Sequence, residues 1–311
     1  MIHSLAMVWN PSEGIDLGFF IIRFYSLSWV LAFVFGWYLM KNIFIRENEP
    51  IEKLDSLFIY TVIATMLGAR LGHVLFYQSE LFSEDPLSVF LPIRTKPEFE
   101  FTGFSGLASH GAAIAIILTM IYFSKKIMKR PLMWLLDRIV IPVSFGAIFI
   151  RLGNFFNSEI VGKETASSCG VKFVQDFYDK REAIQLTQIS DYKEAYKAIS
   201  SQPQFNELLN AVPAKHPVQL YEAFGYVIVF LILYFLYWKT DARLKRGYIF
   251  GVFLILLWTV RFIAEFVKGS QGGFEEFPIF NALSTGQWLS IPFVLAGIYI
   301  VVKSKKVKPE E

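Results

Sequence analysis

One cysteine, Cys169, stands in 311 residues, so neither an internal disulfide framework nor a cysteine-rich metal site can form. HExxH and GxSxG are missing, as is any paired-carboxylate metal cage, which leaves metal hydrolysis and a serine acyl-enzyme without their residues. No cofactor and no metal is expected. The chain has no low-complexity tract and no internal repeat, whereas many secondary transporters carry an inverted one. The first 17 residues contain no Lys or Arg. The start "MIHSLAMVWN" lacks the basic n-region and small-residue cleavage site of a secretory signal, so the first apolar segment is expected to be retained.

Apolar side chains are present in excess: 54% of the residues are hydrophobic and 17% aromatic, with a mean hydropathy of +0.43. A soluble globular chain would leave too much of that surface in water. Seven apolar runs stand out, at about 18–40, 56–78, 106–123, 132–151, 218–238, 248–267 and 284–302. Each approaches the roughly 20 residues that cross about 30 Å of hydrocarbon. The expected fold is an all-α polytopic membrane protein, one integral membrane domain over 1–311 with seven transmembrane helices. The longest polar segment, about 162–217, includes "DFYDKREAIQLTQISDYKEAYKAISSQPQFNELLNAV", with helix-forming composition and loose 3.6-residue periodicity. A small external helical subdomain is expected there.

Basic residues follow the first, third and fifth runs: Lys41, Arg46 and Lys53, then "KKIMKR", then "KTDARLKR", and the tail "KSKKVKPEE" adds more. The positive-inside rule puts these in the cytoplasm and the N-terminus outside, as an odd number of spans requires. The tail fits anchoring on anionic lipid better than binding nucleic acid.

Ionisable residues inside a membrane are expensive, so their depth is informative. Arg23 and Tyr25 fall early in an inward first helix, and Arg70 and His73 in the last turns of an outward second. His110 opens the third, Arg151 closes the fourth, and Gln219, Tyr221 and Glu222 open the fifth after His216. Arg261 and Glu265 lie in the outer part of the sixth, and Gln287 opens the seventh. Helices of alternating direction thus deliver costly side chains to one outer depth. Asp137 and Arg138, near the inner end of the fourth, suit interfacial anchoring.

Singly, each has a plain explanation. Arg261 and Glu265, at i and i+4, can neutralise one another, Arg23 can snorkel, and Tyr25 can sit in an aromatic belt. Together the arginines outnumber the obvious internal carboxylates, Glu222 and Glu265, and imply a bound anion. Guanidinium matches phosphate bidentately, and a phospholipid headgroup is the anion available at that depth. His110 is a candidate proton acceptor near neutral pH.

The stretch "RLGNFFNSEIVG" resembles the signature of the prolipoprotein diacylglyceryl transferase family, through Arg151, Gly153, Asn154, Asn157, Glu159 and Gly162. "IIRFYSL", "GARLGHVLFY", "SHGAA", "HPVQLYEAF", "GYIFGVFLILLWTVRFIAEFVK" and "STGQWLSIPFVLAG" are similar to its other blocks, in order. The resemblance covers nearly all the chain except about 166–212. It implies a seven-helix inner-membrane protein with a periplasmic N-terminus and a cytoplasmic C-terminus, which makes the external helical subdomain periplasmic. The implied reaction moves the diacylglyceryl group of phosphatidylglycerol to the lipobox cysteine of a prolipoprotein signal peptide, forming a thioether and releasing glycerol phosphate.

On this reading Arg151 and Arg261 hold the phosphate, and Asn154, Asn157, Arg70 and Gln219 complete the lipid site. Tyr25 positions the lipid, Gly162 serves a turn, and Glu159, Glu265 and Arg23 support. Either His110 takes the thiol proton or the arginine field lowers the thiol pKa unaided. The insertion either guides the signal peptide or acts as a lid or spacer. Departures from the family pattern fall at Ala112, Lys268, Ala69 and His73, the first putting close backbone approach in question. A lipid-binding transporter or flippase is the alternative, disfavoured by the missing inverted repeat and the one-sided cluster; a purely structural membrane subunit would leave the arginines unexplained.

Overall fold

The computed structural model describes residues 6–18, 21–91, 93–95, 98–101, 108–269 and 282–305. The helices in chain order are α1 Phe24–Arg46, α2 Ile51–Tyr77, α3 Leu81–Glu84, α4 Pro86–Phe90, α5 Ser109–Phe123 and α6 Leu132–Phe156. They continue with α7 Val174–Phe177, α8 Lys180–Thr187, α9 Tyr192–Ser201, α10 Asn206–Ala211, α11 Val218–Lys239, α12 Tyr248–Ala264 and α13 Thr285–Lys303. Strands are short: β1 Met7–Trp9, β2 Gly14–Asp16, β3 Ile21–Arg23, β4 Ile93–Arg94, β5 Glu100–Phe101, β6 Val171–Phe173 and β7 Ala214–Lys215.

Six helices among the described residues are long and apolar enough to cross a membrane: α1, α2, α5 with its π-helical extension to Met128, α6, α11 and α13. The architecture is that of a polytopic, mostly α-helical membrane protein. The apolar run at about 248–267 yields α12, which has 17 residues. It starts after Gly247, held at φ 85°, a conformation that suits glycine.

The first span begins later than its apolar run suggests. β2 and β3 pair antiparallel, Gly14 with Arg23 and Asp16 with Ile21. After β2 the Gly18 N–H donates to Asp16 Oδ1 at 2.8 Å. Arg23 therefore ends a strand, itself exposed, instead of lying inside a helix. The apolar Ile21 and Ile22 fit strand and helix alike, and hydropathy alone does not separate the two.

The insertion also departs from a purely helical reading. β6 pairs in parallel with β1 and antiparallel with β7, so the N-terminal Met7–Trp9 is stitched to residues 171–173. Around this sheet α7 to α10 enclose Val174, Tyr178, Ala195, Tyr196, Ile199 and Val212. α8 starts with a capping box, Asp179 accepting from Glu182 N–H while the Glu182 carboxylate accepts from Asp179 N–H; that arrangement satisfies helix-end donors locally.

The chain divides into two compact units, residues 37–138 and residues 1–36 with 139–311. In the smaller, α2 and α5 meet at glycine: a Cβ on Gly72 would lie 2.6 Å from Gly111 Cα, and one on Gly68 would meet the Gly111 carbonyl at 2.7 Å. Close approach is therefore supplied by Gly111 and needs no second glycine at 112. Asp137 and Arg138 are 0% and 3% exposed and so are not interfacial anchors. Arg138 pairs with Glu47 at 3.0 Å and lies over the Trp134 ring, one turn earlier. Glu49 similarly holds Arg130 at 2.8 Å and Lys53 at 3.1 Å. Acidic residues after α1 thus neutralise this basic cluster inside the fold.

Candidate active site

In the larger unit the last turns of α6 carry Arg151 and Asn154, and the chain then reverses without glycine. Ser158 and Ile160 take positive φ, 53° and 60°, a strained state for Ile especially because it is β-branched. Hydrogen bonds impose it. The Glu159 N–H donates to the Asn154 carbonyl at 3.1 Å, and Asn154 Nδ2 donates to Glu159 Oε1 at 2.7 Å. Gln219 Nε2, fully buried at the start of α11, donates to the Glu159 carbonyl at 2.6 Å. Asn157 is exposed and reaches Glu159 only at 3.5 Å.

Gly162 is not at a turn. Its N–H donates to the His216 carbonyl at 2.9 Å, Lys163 N–H to the Val267 carbonyl at 2.8 Å, and Gly162 bridges Lys268. Residues 161–163 are thereby held on one side by the entry to α11 and on the other by the exit of α12. A Cβ on Gly162 would meet His216 Cβ and the Val267 oxygen, both at 2.6 Å. Glycine is needed here for space.

Arg151 is held from the side. Its Nε lies 3.0 Å from Glu222 Oε2, an ionic contact without hydrogen-bond geometry. Its Nη1 donates to Asn154 Oδ1 at 3.4 Å. Glu222 is 1% exposed and one turn before Tyr226 in α11, so the two share a face. The Tyr226 hydroxyl donates to Glu222 Oε1 at 3.5 Å and lies within electrostatic reach of Arg151. Arg261 lies within electrostatic reach of that hydroxyl, and Glu265 within reach of Arg151. Tyr25, second residue of α1, packs on the same stretch of α6: a Cβ on Gly153 would lie 3.0 Å from its ring.

Arg261 does not pair with Glu265. Glu265 Oε1 takes Lys268 Nζ at 2.8 Å, and Oε2 accepts from Ser284 Oγ at 3.0 Å. α12 ends at Ala264 and the chain turns, which brings i+3 within reach in place of i−4. Arg261 instead lies against the Trp258 ring, 5.1 Å from its centroid, and its buried Nε lacks a hydrogen-bond partner among the described residues. A buried guanidinium nitrogen without an acceptor is uncommon and suits an anion supplied from outside.

Arg151, Asn154, Glu159, Gly162, Gln219, Tyr25, Arg261 and Glu265 therefore belong to one unit, whereas Arg70 and His110 belong to the other. There Arg70 Nη2 donates to the Ser88 carbonyl at 2.7 Å, His73 packs on Tyr77, and His110 is exposed in the first turn of α5. Tyr226, Trp258 and Ser284 were not singled out in the sequence, while Glu222 was named only as an internal carboxylate and Lys268 only as a departure from the family pattern. A phenol four residues after a carboxylate in an apolar helix was the available signal for Tyr226.

The family described as "Prolipoprotein diacylglyceryl transferase" matches residues 13–303. A relative named phosphatidylglycerol–prolipoprotein diacylglyceryl transferase from Tolumonas auensis is 36% identical over 303 residues, 97% of this chain and 99% of its own. Proteins of the same name from Bacteroides fragilis and Chloroherpeton thalassium are 34% and 33% identical, over 98% and 97% of this chain and 98% and 96% of theirs. On a match that runs from just before β2 to the end of α13, this chain belongs to the prolipoprotein diacylglyceryl transferase family.

Proposed function

We propose that this chain transfers the diacylglyceryl group of phosphatidylglycerol to the lipobox cysteine thiol of a prolipoprotein, the first step of lipoprotein maturation. The observation that carries the lipid-phosphate reading is Arg261, whose buried Nε lacks a hydrogen-bond partner among the described residues, in the same unit as Arg151. In this reading the two guanidinium groups take one phosphodiester. Family membership supplies the reaction.

In the transfer the substrate sulfur attacks the glyceryl methylene carbon, a C–S bond forms, and the C–O bond to phosphate breaks. The electron pair leaves on the phosphate oxygen, and glycerol phosphate departs. Arg151 and Arg261 stabilise the added negative charge, which is larger after bond breaking than before. The thiol proton goes to His110. Asn154, Asn157, Arg70 and Gln219 orient the headgroup, Tyr25 positions the lipid, and Glu159, Gly162, Glu265 and Arg23 hold the surrounding loops.

The membrane arrangement in this reading is seven crossings, α12 being the sixth in chain order, in the bacterial inner membrane. The N-terminus and residues 162–217 face the periplasm as an external subdomain that guides the signal peptide, and the C-terminus is cytoplasmic. Support comes from Lys and Arg after α1, α5 and α11 and their absence from the first 17 residues.

Purified chain mixed with phosphatidylglycerol and a lipobox peptide should give a diacylglyceryl thioether by mass spectrometry, and Arg151→Ala should abolish it while remaining folded. Lipid binding without product would favour a transporter, and undiminished product from Arg151→Ala would remove the phosphate role.

A further inference from the structure

The end of α6 closes on itself. Glu159 N–H donates to the Asn154 carbonyl at 3.1 Å and Ser158 N–H to the Phe155 carbonyl at 3.0 Å, a Schellman pattern that ordinarily has glycine in the left-handed position. Here that position is Ser158, at φ 53°. A residue other than glycine persists there only when its surroundings over-determine it. The tie from outside comes from the N-terminal strand. Trp9 Nε1 donates to the same Phe155 carbonyl at 2.9 Å, and its ring centroid lies 4.2 Å from that of Phe155 and 5.7 Å from that of Phe156. Phe156 packs in turn on Phe24, the first residue of α1. Because Trp9 belongs to β1, which pairs with β6 at Val171–Phe173, the sheet of the insertion is bonded directly to the turn that follows Arg151.

We propose that Trp9 is a positioning residue for the transfer: its indole N–H, bonded to the Phe155 carbonyl, fixes the end of α6 and through it the direction of Arg151. The path is short. The turn sets Glu159 where its carboxylate accepts from Asn154 Nδ2 at 2.7 Å, and Asn154 Oδ1 accepts from Arg151 Nη1 at 3.4 Å. Loosening the turn moves Glu159, releases the Asn154 amide and lets that terminal nitrogen of Arg151 swing. The contact of Arg151 Nε with Glu222 at 3.0 Å does not pass through the turn, so the guanidinium stays in the site and loses its aim. The effect falls on the bond-breaking step, where charge on the phosphate grows, more than on lipid binding.

The inference rests on the transfer reading, and one assay separates the two. Wild type, Trp9→Phe and Trp9→His, full-length in detergent, are compared with phosphatidylglycerol and a lipobox peptide, with kcat taken per folded molecule and melting temperature measured alongside. Phenylalanine keeps an aromatic ring and loses the donor. Histidine keeps a donor, since its Nε2 falls where the indole Nε1 stood, and loses the larger ring. A misplacement of about 1 Å can cost about 10²-fold in rate, and one hydrogen bond lost at a helix end displaces less, so Trp9→Phe is expected to lower kcat about tenfold. KM for the lipid is expected to stay within about threefold. Trp9→His is expected to keep at least one-third of wild-type kcat, although its melting temperature is the lower of the two because it buries less apolar surface.

A tryptophan that serves packing alone gives the opposite order, with the better-packed phenylalanine the more active. A Trp9→Phe kcat within about twofold of wild type, a loss carried by KM alone, or a Trp9→His no more active than Trp9→Phe overturns the role of Trp9. If Trp9→Phe does not fold, Trp9→His decides by its kcat. Retention of at least one-third of wild-type kcat supports the role, and anything less overturns it. A wild-type chain that makes no thioether overturns the transfer reading itself, and Trp9 with it.

Discussion

The Glu265 carboxylate belongs to Lys268, 2.8 Å away, while Arg261, one turn earlier on the other side of Glu265, forms no ion pair among the described residues. The lysine keeps the arginine available. Lys268 is 7% exposed and the pair is closed off by Ser284, so the partition is built into the exit of α12.

Removing the lysine should therefore harm lipid binding. Lys268→Ala frees Glu265 to turn to Arg261, where it competes with phosphate. KM for phosphatidylglycerol should rise about tenfold, equivalent to about 1.4 kcal/mol, and Lys268→Arg should restore it. An unchanged KM in Lys268→Ala would show that Glu265 does not compete.

His110→Gln tests proton removal. General-base catalysis contributes about 10²–10⁴-fold, so this variant should lower kcat by at least about tenfold while KM for phosphatidylglycerol changes little. A variant with the wild-type kcat would assign proton removal elsewhere.

Gly162→Ala tests the tie between α6, α11 and α12. The added methyl would meet His216 and the Val267 carbonyl at 2.6 Å, and overpacking of that kind costs typically 1–3 kcal/mol. The melting temperature should fall and activity with it. A variant as stable and active as wild type would show that the three segments separate freely.

Low pH should loosen the N-terminal segment. Burial pushes Glu13 upward, but hydrogen bonds from Lys180 and Tyr192, with the charges of Lys180 and Arg23, outweigh it and leave its pKa below 4.5. Lys180 Nζ lies 2.7 Å from Glu13. A carboxylate lowered in the folded state adds stability that is present above its unfolded value and lost as pH falls through the folded one. Hydrogen exchange around residues 10–16 should accelerate below about pH 4.5. Lys180→Met should show fast exchange already at pH 7, and equal protection at both pH values in wild type would contradict the tie.

The sequence made the apolar spans and the Arg151 stretch legible, because both depend on composition and short spacing. α6 was readable as a span, although it runs to Phe156 and so encloses Arg151, which its apolar run alone had placed at the edge. The choice of Lys268 over Arg261 by Glu265 was not legible, since i+3 and i−4 are both within side-chain reach and the end of α12 decides between them. Arg23 was misplaced because Ile21 and Ile22 are equally apolar in a strand. The pairing of Met7–Trp9 with Val171–Phe173 spans more than 160 residues, beyond any local period. Gly162 was noticed as glycine but assigned to a turn, whereas the left-handed residues proved to be Ser158 and Ile160.

Gly111, where α5 touches the backbone of α2, follows directly after His110. The height of that imidazole along α2 is consequently set by main chain against main chain, with no flexible side chain between them to absorb an error. A larger residue at 68, 72 or 111 would relocate the imidazole as well as weaken the helix pair, so substitutions that look like packing faults should register as misplaced chemistry.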